Sequence, residues 1–194
     1  MARVGVYMQI TPVDSDNNLF RVEDVFSETL VDRVLSTNWL EVPWRRQEYQ
    51  ENWNRRRVEV ESLDWFPHWE QEMSMLIDDV SQAVGYELGT YGGTAFWLDE
   101  PGFLCPLHTD GELPGSFHLT WIGDRDQGTT FYNSKNDTDI RYQVPMTPNA
   151  GYVMINLPDA TGYRRLLWHG MLHPVQDNKF RLTSYSWLFP STPL

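Results

Sequence analysis

Three stretches of the chain carry residues whose types and spacing suit chemistry. His108-Thr109-Asp110 follows a short apolar run at 102–107. Side chains two apart in an extended strand point to the same face, so this imidazole and carboxylate can converge on one ion. The spacing is common by chance, and a loop histidine and aspartate before a turn at Gly111 is the bland alternative. The second stretch, Leu166-Leu-Trp-His169-Gly-Met-Leu-His173, supplies two more imidazoles. Two histidines and one carboxylate that leave the remaining coordination positions open form a donor set suited to Fe(II) and oxygen chemistry. The third stretch, Lys179-Phe-Arg181-Leu-Thr183-Ser-Tyr185-Ser-Trp187, alternates, and puts Arg181, Thr183, Tyr185 and Trp187 on one face. An arginine facing a pocket beside a metal, with a hydroxyl two residues on, can clamp a carboxylate.

Short strands must position these groups. From residue 89 onward, apolar segments separated by Gly, Pro, Asn and Asp run at roughly 94–98, 102–107, 116–122, 128–132, 140–144, 151–157, 166–173 and 180–189. About eight such strands predict a barrel or sandwich. Residues 6–24 read as strand and loop. A helix is expected from Ser27, a good N-cap, with Leu30, Val31, Val34 and Leu35 as apolar positions and Phe26 and Val31 as a hydrophobic staple. A second helix follows from the spacing of Trp69, Met73, Leu76, Ile77, Val80 and Val84, with Gly85 near its end. The layout is α+β and mainly β, with the helices bracing one sheet. We expect a single domain over 1–194, in which 1–88 is strand and helical support and 89–194 is the β core.

Composition narrows the function classes. A net charge of −12 argues against nucleic acid as partner. The local exception is Arg45-Arg46 and Arg55-Arg56-Arg57, interleaved with Trp44, Tyr49 and Trp53. A base-stacking surface has this look, and so does a solvated, partly helical segment, which is the preferred reading. No apolar run reaches the ~18 residues that a membrane span needs. The opening residues lack an apolar stretch followed by a cleavage site. The single cysteine, Cys105, excludes an internal disulfide and fits a reducing compartment, so the cytoplasm is expected.

From about Trp97 to Phe189 the chain resembles the 2-oxoglutarate/Fe(II)-dependent oxygenases, within them the prolyl-4-hydroxylase-like branch. The resemblance rests on His108-x-Asp110, a strand like Phe117-His-Leu-Thr-Trp-Ile122, and Gln127-Gly-Thr-Thr-Phe131, which is similar to the family's Gly-Gly-Glu-Thr-x-Phe. It continues through Val144-Pro-Met-Thr-Pro-Asn-Ala-Gly151, similar to the family's Pro-x-x-Gly, to a distal histidine and Arg181-x-Thr183. Thr129 stands where the family often has Glu. The resemblance implies a double-stranded β-helix (jelly-roll or cupin-like). It implies Fe(II) held by His108, Asp110 and a distal histidine, and 2-oxoglutarate anchored by Arg181 with support from Thr183. O2 would drive decarboxylation to succinate and CO2, coupled to hydroxylation of a small-molecule or peptidyl substrate.

His169 is assigned as the third ligand. It precedes Arg181 by twelve positions, and its following Gly is similar to the family's His-Gly-Val ending. His173-Pro-Val is the alternative, and the two are expected to share one strand face. His118 lies on a cavity-lining strand, either near the co-substrate or as a satisfied core histidine. His68 is expected at the surface, Cys105 as a buried small hydrophobe, and Tyr185 and Trp187 as pocket wall or plain packing. The competing function class is a cupin-like barrel that binds a metal or small molecule without redox turnover.

Overall fold

The computed structural model describes residues 8–13, 18–45, 54–110, 114–136, 138–156 and 166–190. Helix α1 (Glu28–Ser36) starts where Ser27 caps it, the Ser27 hydroxyl accepting from the Leu30 amide at 3.4 Å. Helix α2 (Phe66–Val84) carries Pro67 in its first turn, where the missing N–H costs nothing. It ends at Gly85, whose left-handed φ of +69° suits a residue without Cβ. Glu72 of α2 joins the two helices by accepting from the Ser27 amide (2.9 Å) and hydroxyl (2.5 Å). Among the described residues, no helix is long and apolar enough to cross a membrane.

The strands are β1 (Gln9–Pro12), β2 (Leu19–Glu23), β3 (Trp44–Arg45), β4 (Arg55–Val58), β5 (Leu88–Asp99), β6 (Gly115–Ile122), β7 (Thr129–Tyr132), β8 (Ile140–Val144), β9 (Ala150–Ile155), β10 (Trp168–Gly170) and β11 (Arg181–Pro190). They form two antiparallel sheets. The major sheet has the order β1-β2-β9-β6-β11-β5-β4-β3, and the minor one β10-β7-β8. Both the early strands and the late ones therefore build the major sheet. β2 pairs with β9 and β4 with β5.

The central strands of the major sheet are buried on both faces, and strand alternation assigns each residue to one of them. Phe117, Leu119 and Trp121 of β6, Phe96 and Leu98 of β5, and Leu182 and Leu188 of β11 join the helices in one core. Trp69 of α2 is its centre, with ring centroids 4.8 Å from Phe96 and 5.5 Å from Trp121. The polar edges of these indoles are paired: Trp69 Nε1 donates to Thr94 Oγ1 (3.1 Å) and Trp121 Nε1 to Ser184 Oγ (3.0 Å). Buried indole N–H groups need such partners, which accounts for hydroxyls on the helix-facing side of β11. A smaller core of Leu19, Phe131, Val144, Tyr152, Met154 and Leu167 lies under the inner face.

Two expectations change. The arginine-rich segment is not helical where it is described: Arg55–Val58 is strand β4, in register with β5. Tyr49 and Trp53 lie outside the described residues, as does Arg46. The strand expected at 102–107 is an interrupted ladder, because Pro106 has no N–H to donate. Its surviving rungs run to residues 169–175: the Met171 amide donates to the Cys105 carbonyl (3.0 Å), and the Val175 amide to that of Phe103 (2.9 Å). The strand expected at 166–173 accordingly shrinks to β10.

Candidate metal centre

His108 and His169 meet as directly opposed residues of this ladder. Each donates its backbone N–H to the other's carbonyl, at 2.9 and 2.8 Å. Opposed residues project to the same side, so the two imidazoles lie together, ring centroids 4.3 Å apart. The close approach needs a small neighbour: a Cβ on Gly170 would sit 3.0 Å from the carbonyl oxygens of Cys105 and Pro106. The two rings are held alike. His108 Nδ1 bonds the Pro106 carbonyl at 2.8 Å, and His169 Nδ1 bonds that of Leu167 at 3.0 Å. A carbonyl only accepts, so Nδ1 carries the proton and Nε2 presents its lone pair. This is the outer-sphere arrangement that orients metal-binding histidines.

Asp110 closes the triangle. Its Oδ1 lies 3.4 Å from His108 Nε2 and 3.5 Å from His169 Nε2. One donor atom from each of the three residues falls within 4.8 Å of the others. Ligands about 2.1 Å from a common ion stand about 3–3.5 Å apart when adjacent, so the residues present fit a divalent cation. Without the cation the surroundings favour a protonated His108 facing an ionised Asp110. Burial opposes charge on His108, but Asp110 outweighs it and pushes the imidazole up to about 10. Burial likewise opposes charge on Asp110, and the three neighbouring histidines overcome it, holding the carboxyl well below the usual carboxylate range.

The third neighbour is His118 of β6, whose Nε2 lies 3.7 Å from Asp110 Oδ2. In register His118 stands between Tyr185 of β11 and Tyr152 of β9. Burial pushes the His118 imidazole down to about 4 against the pull of Asp110. Burial, reinforced by the Asp110 charge, raises both tyrosines above their ordinary range.

These groups line a cavity of ≈ 260 Å³ between the two sheets. Its wall includes the whole inward row of β11: Arg181, Thr183, Tyr185 and Trp187. Arg181 is four residues along β11 from Tyr185, about 13 Å at strand rise, so it stands well along the cavity from His118, the register partner of Tyr185 on β6. There it pairs with Asp99 of β5, which is 0 % exposed, through Nη1 and Oδ2 at 2.6 Å, and donates Nε to the Gln127 carbonyl at 2.9 Å. Arg55 of β4 grips the same carboxylate from the other side, Nε to Oδ1 at 2.5 Å and Nη2 to Oδ2 at 3.0 Å. Its guanidinium lies over Phe103 and Trp97, 4.2 and 5.2 Å from the ring centroids. Burial opposes its charge, yet Asp99 raises its pKa further. Two guanidinium groups on one carboxylate leave this end of the cavity with net positive charge.

The structure thus brings five expected residues, His108, Asp110, His169, Arg181 and Thr183, to one cavity. His173 is not among them. β10 ends at Gly170, so the two histidines do not share a strand face, and His173 is exposed in a separate, more open depression of ≈ 640 Å³ with Arg125 and Tyr142. His68 is at the surface as expected, 2.9 Å from Glu72. Cys105 is only partly buried and lines the cavity. Sequence reasoning missed Arg55, Asp99 and Tyr152. Asp99 ends a strand where a polar residue looks like a boundary, and only the register β4–β5–β11 reveals that it faces two arginines.

No protein-family model matches the chain, and no curated protein matches it. Among solved structures, the chain is similar to a Pseudomonas putida prolyl-4-hydroxylase (14% identity, TM-score 0.62, covering 89% of this chain and 92% of that one). It is also similar to HygX from Streptomyces hygroscopicus with nickel and 2-oxoglutarate bound (11%, 0.60, 90% and 84%). A third likeness is to a collagen prolyl hydroxylase of Paramecium bursaria Chlorella virus-1 in its 2-oxoglutarate complex (9%, 0.57, 88% and 95%). The chain therefore has the double-stranded β-helix fold of these oxygenases.

Proposed function

We propose that this protein is an Fe(II)- and 2-oxoglutarate-dependent dioxygenase that hydroxylates a C–H bond of an amino acid, a peptidyl residue or a small metabolite. One observation carries the reading. Two histidines with Nδ1 tied to carbonyls turn Nε2 toward the same carboxylate oxygen, in a cavity that also holds a partly neutralised arginine pair.

His108, Asp110 and His169 hold the metal. Arg181 takes the distal carboxylate of 2-oxoglutarate through guanidinium hydrogens that Asp99 and the Gln127 carbonyl leave free, and Thr183 adds a hydroxyl on the same strand face. Asp99 fixes the guanidinium plane. Trp97, Tyr185 and Trp187 cover the cavity and keep water from it. When bound, iron supplies O2 activation, coupling decarboxylation of 2-oxoglutarate to succinate and CO2 with oxidation of the substrate. By the family's chemistry, a carboxylate ligand at Asp110 favours hydroxylation over halogenation. The single cysteine fits the cytoplasm, and the charge of −12 favours small-molecule or peptidyl substrates over nucleic acid. HygX has been solved with hygromycin B and nickel bound, so this fold accommodates bulky small molecules as well as prolyl substrates.

The test is anaerobic reconstitution with Fe(II), addition of 2-oxoglutarate and O2, and measurement of succinate with and without panels of amino acids, peptides and metabolites. Substrate-stimulated succinate supports the reading. Tight metal binding with neither 2-oxoglutarate binding nor succinate would favour a non-redox binding barrel instead.

A further inference from the structure

His118 Nε2 and Asp110 Oδ2 are both buried, neither has a hydrogen-bond partner among the described residues, and they face each other across 3.7 Å. Two buried polar atoms without partners is a cost that a folded protein ordinarily removes, so the pair calls for a purpose. His118 is not free to turn away. Its ring stacks on Tyr152 (4.4 Å, 16° between planes) and receives the edge of Tyr185 (4.3 Å, 88°). It is also set apart from the two facing imidazoles: its centroid is 6.5 Å from that of His169, against 4.3 Å between His108 and His169. Asp110 offers Oδ1 to those two and Oδ2 to His118.

We propose that His118 is a positioning residue for the metal centre, donating Nε2–H to Asp110 Oδ2 while Oδ1 binds the ion. The inference rests on the metal-centre reading above. A shift of less than 1 Å brings the pair to hydrogen-bond distance. The bond holds the carboxylate to one oxygen on the metal, so the second oxygen does not occupy a position that co-substrate and O2 need. Packing alone gives no reason for an imidazole here: between two tyrosines a phenylalanine would fill the slot without burying an unpaired nitrogen.

That contrast defines the experiment. Co(II) is titrated into the metal-free parent and into the His118→Phe and His118→Gln variants, following heat and the visible absorption of the bound ion. The Phe ring keeps the shape without the donor, and the Gln amide restores a donor at similar reach. We expect His118→Phe to bind Co(II) about 10–100-fold more weakly, with an altered spectrum, at an unchanged metal-free melting temperature. His118→Gln should recover most of the affinity and the parent spectrum. Should the Phe variant fold poorly, His118→Leu against His118→Gln makes the same comparison. Parent-like affinity and spectrum in the donor-less variant would overturn the proposal. So would a loss as complete as that of Asp110→Ala, which would make His118 a ligand. Failure of the parent itself to bind Co(II) would remove the metal-centre reading, and this inference with it.

Discussion

The two ends of the cavity are built on opposite principles. At the arginine end, Arg55, Asp99 and Arg181 sit on three adjacent strands of the major sheet, and the buried carboxylate is gripped from both sides. At the histidine end, His108 and Asp110 lie on irregular backbone, His169 is on a three-residue strand, and a carboxylate oxygen and an imidazole nitrogen remain unpaired. At the first end the buried carboxylate is fully paired as folded, and the group belongs to the architecture while keeping guanidinium hydrogens to spare. The second is incomplete as folded and fits a group supplied from outside. Removing a residue should therefore cost stability at one end and ligand binding at the other.

The largest effect on the fold should come from Asp99→Ala. It leaves the buried Arg181 and the partly buried Arg55 without their shared anion, and losing one partner of a buried pair costs about 3–5 kcal/mol. Denaturant unfolding of the metal-free protein measures it, and a loss below about 1 kcal/mol would dissolve the contrast between the ends. Arg181→Ala sharpens the comparison, because it tests function at the architectural end. Asp99 retains Arg55, so the stability loss should be smaller than for Asp99→Ala. The 2-oxoglutarate requirement should rise about 30-fold or more, the equivalent of ~2 kcal/mol for a lost buried charge pair, with metal affinity little changed. A collapse in metal affinity with an unchanged co-substrate requirement would mean that the clamp is misassigned.

Arg55→Ala should do less. Arg181 still neutralises Asp99, so we expect about 1–3 kcal/mol of destabilisation and a smaller rise in the co-substrate requirement than Arg181→Ala gives. The smallest effect belongs to His173→Ala. An exposed residue outside the cavity should change stability by no more than about 0.5 kcal/mol and leave metal affinity at the parent value, whereas His169→Ala should abolish it. Metal titration of the two variants side by side decides this, and the reverse pattern would move the centre.

Much of the cavity was legible in the sequence where a local period carried it. The alternation of β11 put Arg181, Thr183, Tyr185 and Trp187 on one face, and all four line the cavity. The spacing of Trp69, Met73, Ile77 and Val80 picked out the buried face of α2. What was not legible depends on pairing between distant segments. The His108–His169 rung spans the chain from 108 to 169 and settles which histidine faces Asp110, something that the spacing to Arg181 alone left open. Arg55 looked like one of a solvated arginine run because only its pairing with β5 brings it onto Asp99. His118 looked like a satisfied core histidine because an unpaired nitrogen is a property of packing and not of residue type.

The central claim is that the histidine end holds a metal on which 2-oxoglutarate is turned over. Succinate formation by the Fe(II)-reconstituted parent and by Asp110→Ala, under O2 and with the metal-free forms checked for matching folds, tests it most directly. The account requires 2-oxoglutarate-dependent succinate from the parent and none above background from Asp110→Ala, since a three-ligand site that loses one ligand falls below useful affinity. Equal succinate from the two proteins, or none from a parent that binds iron and 2-oxoglutarate, would contradict it.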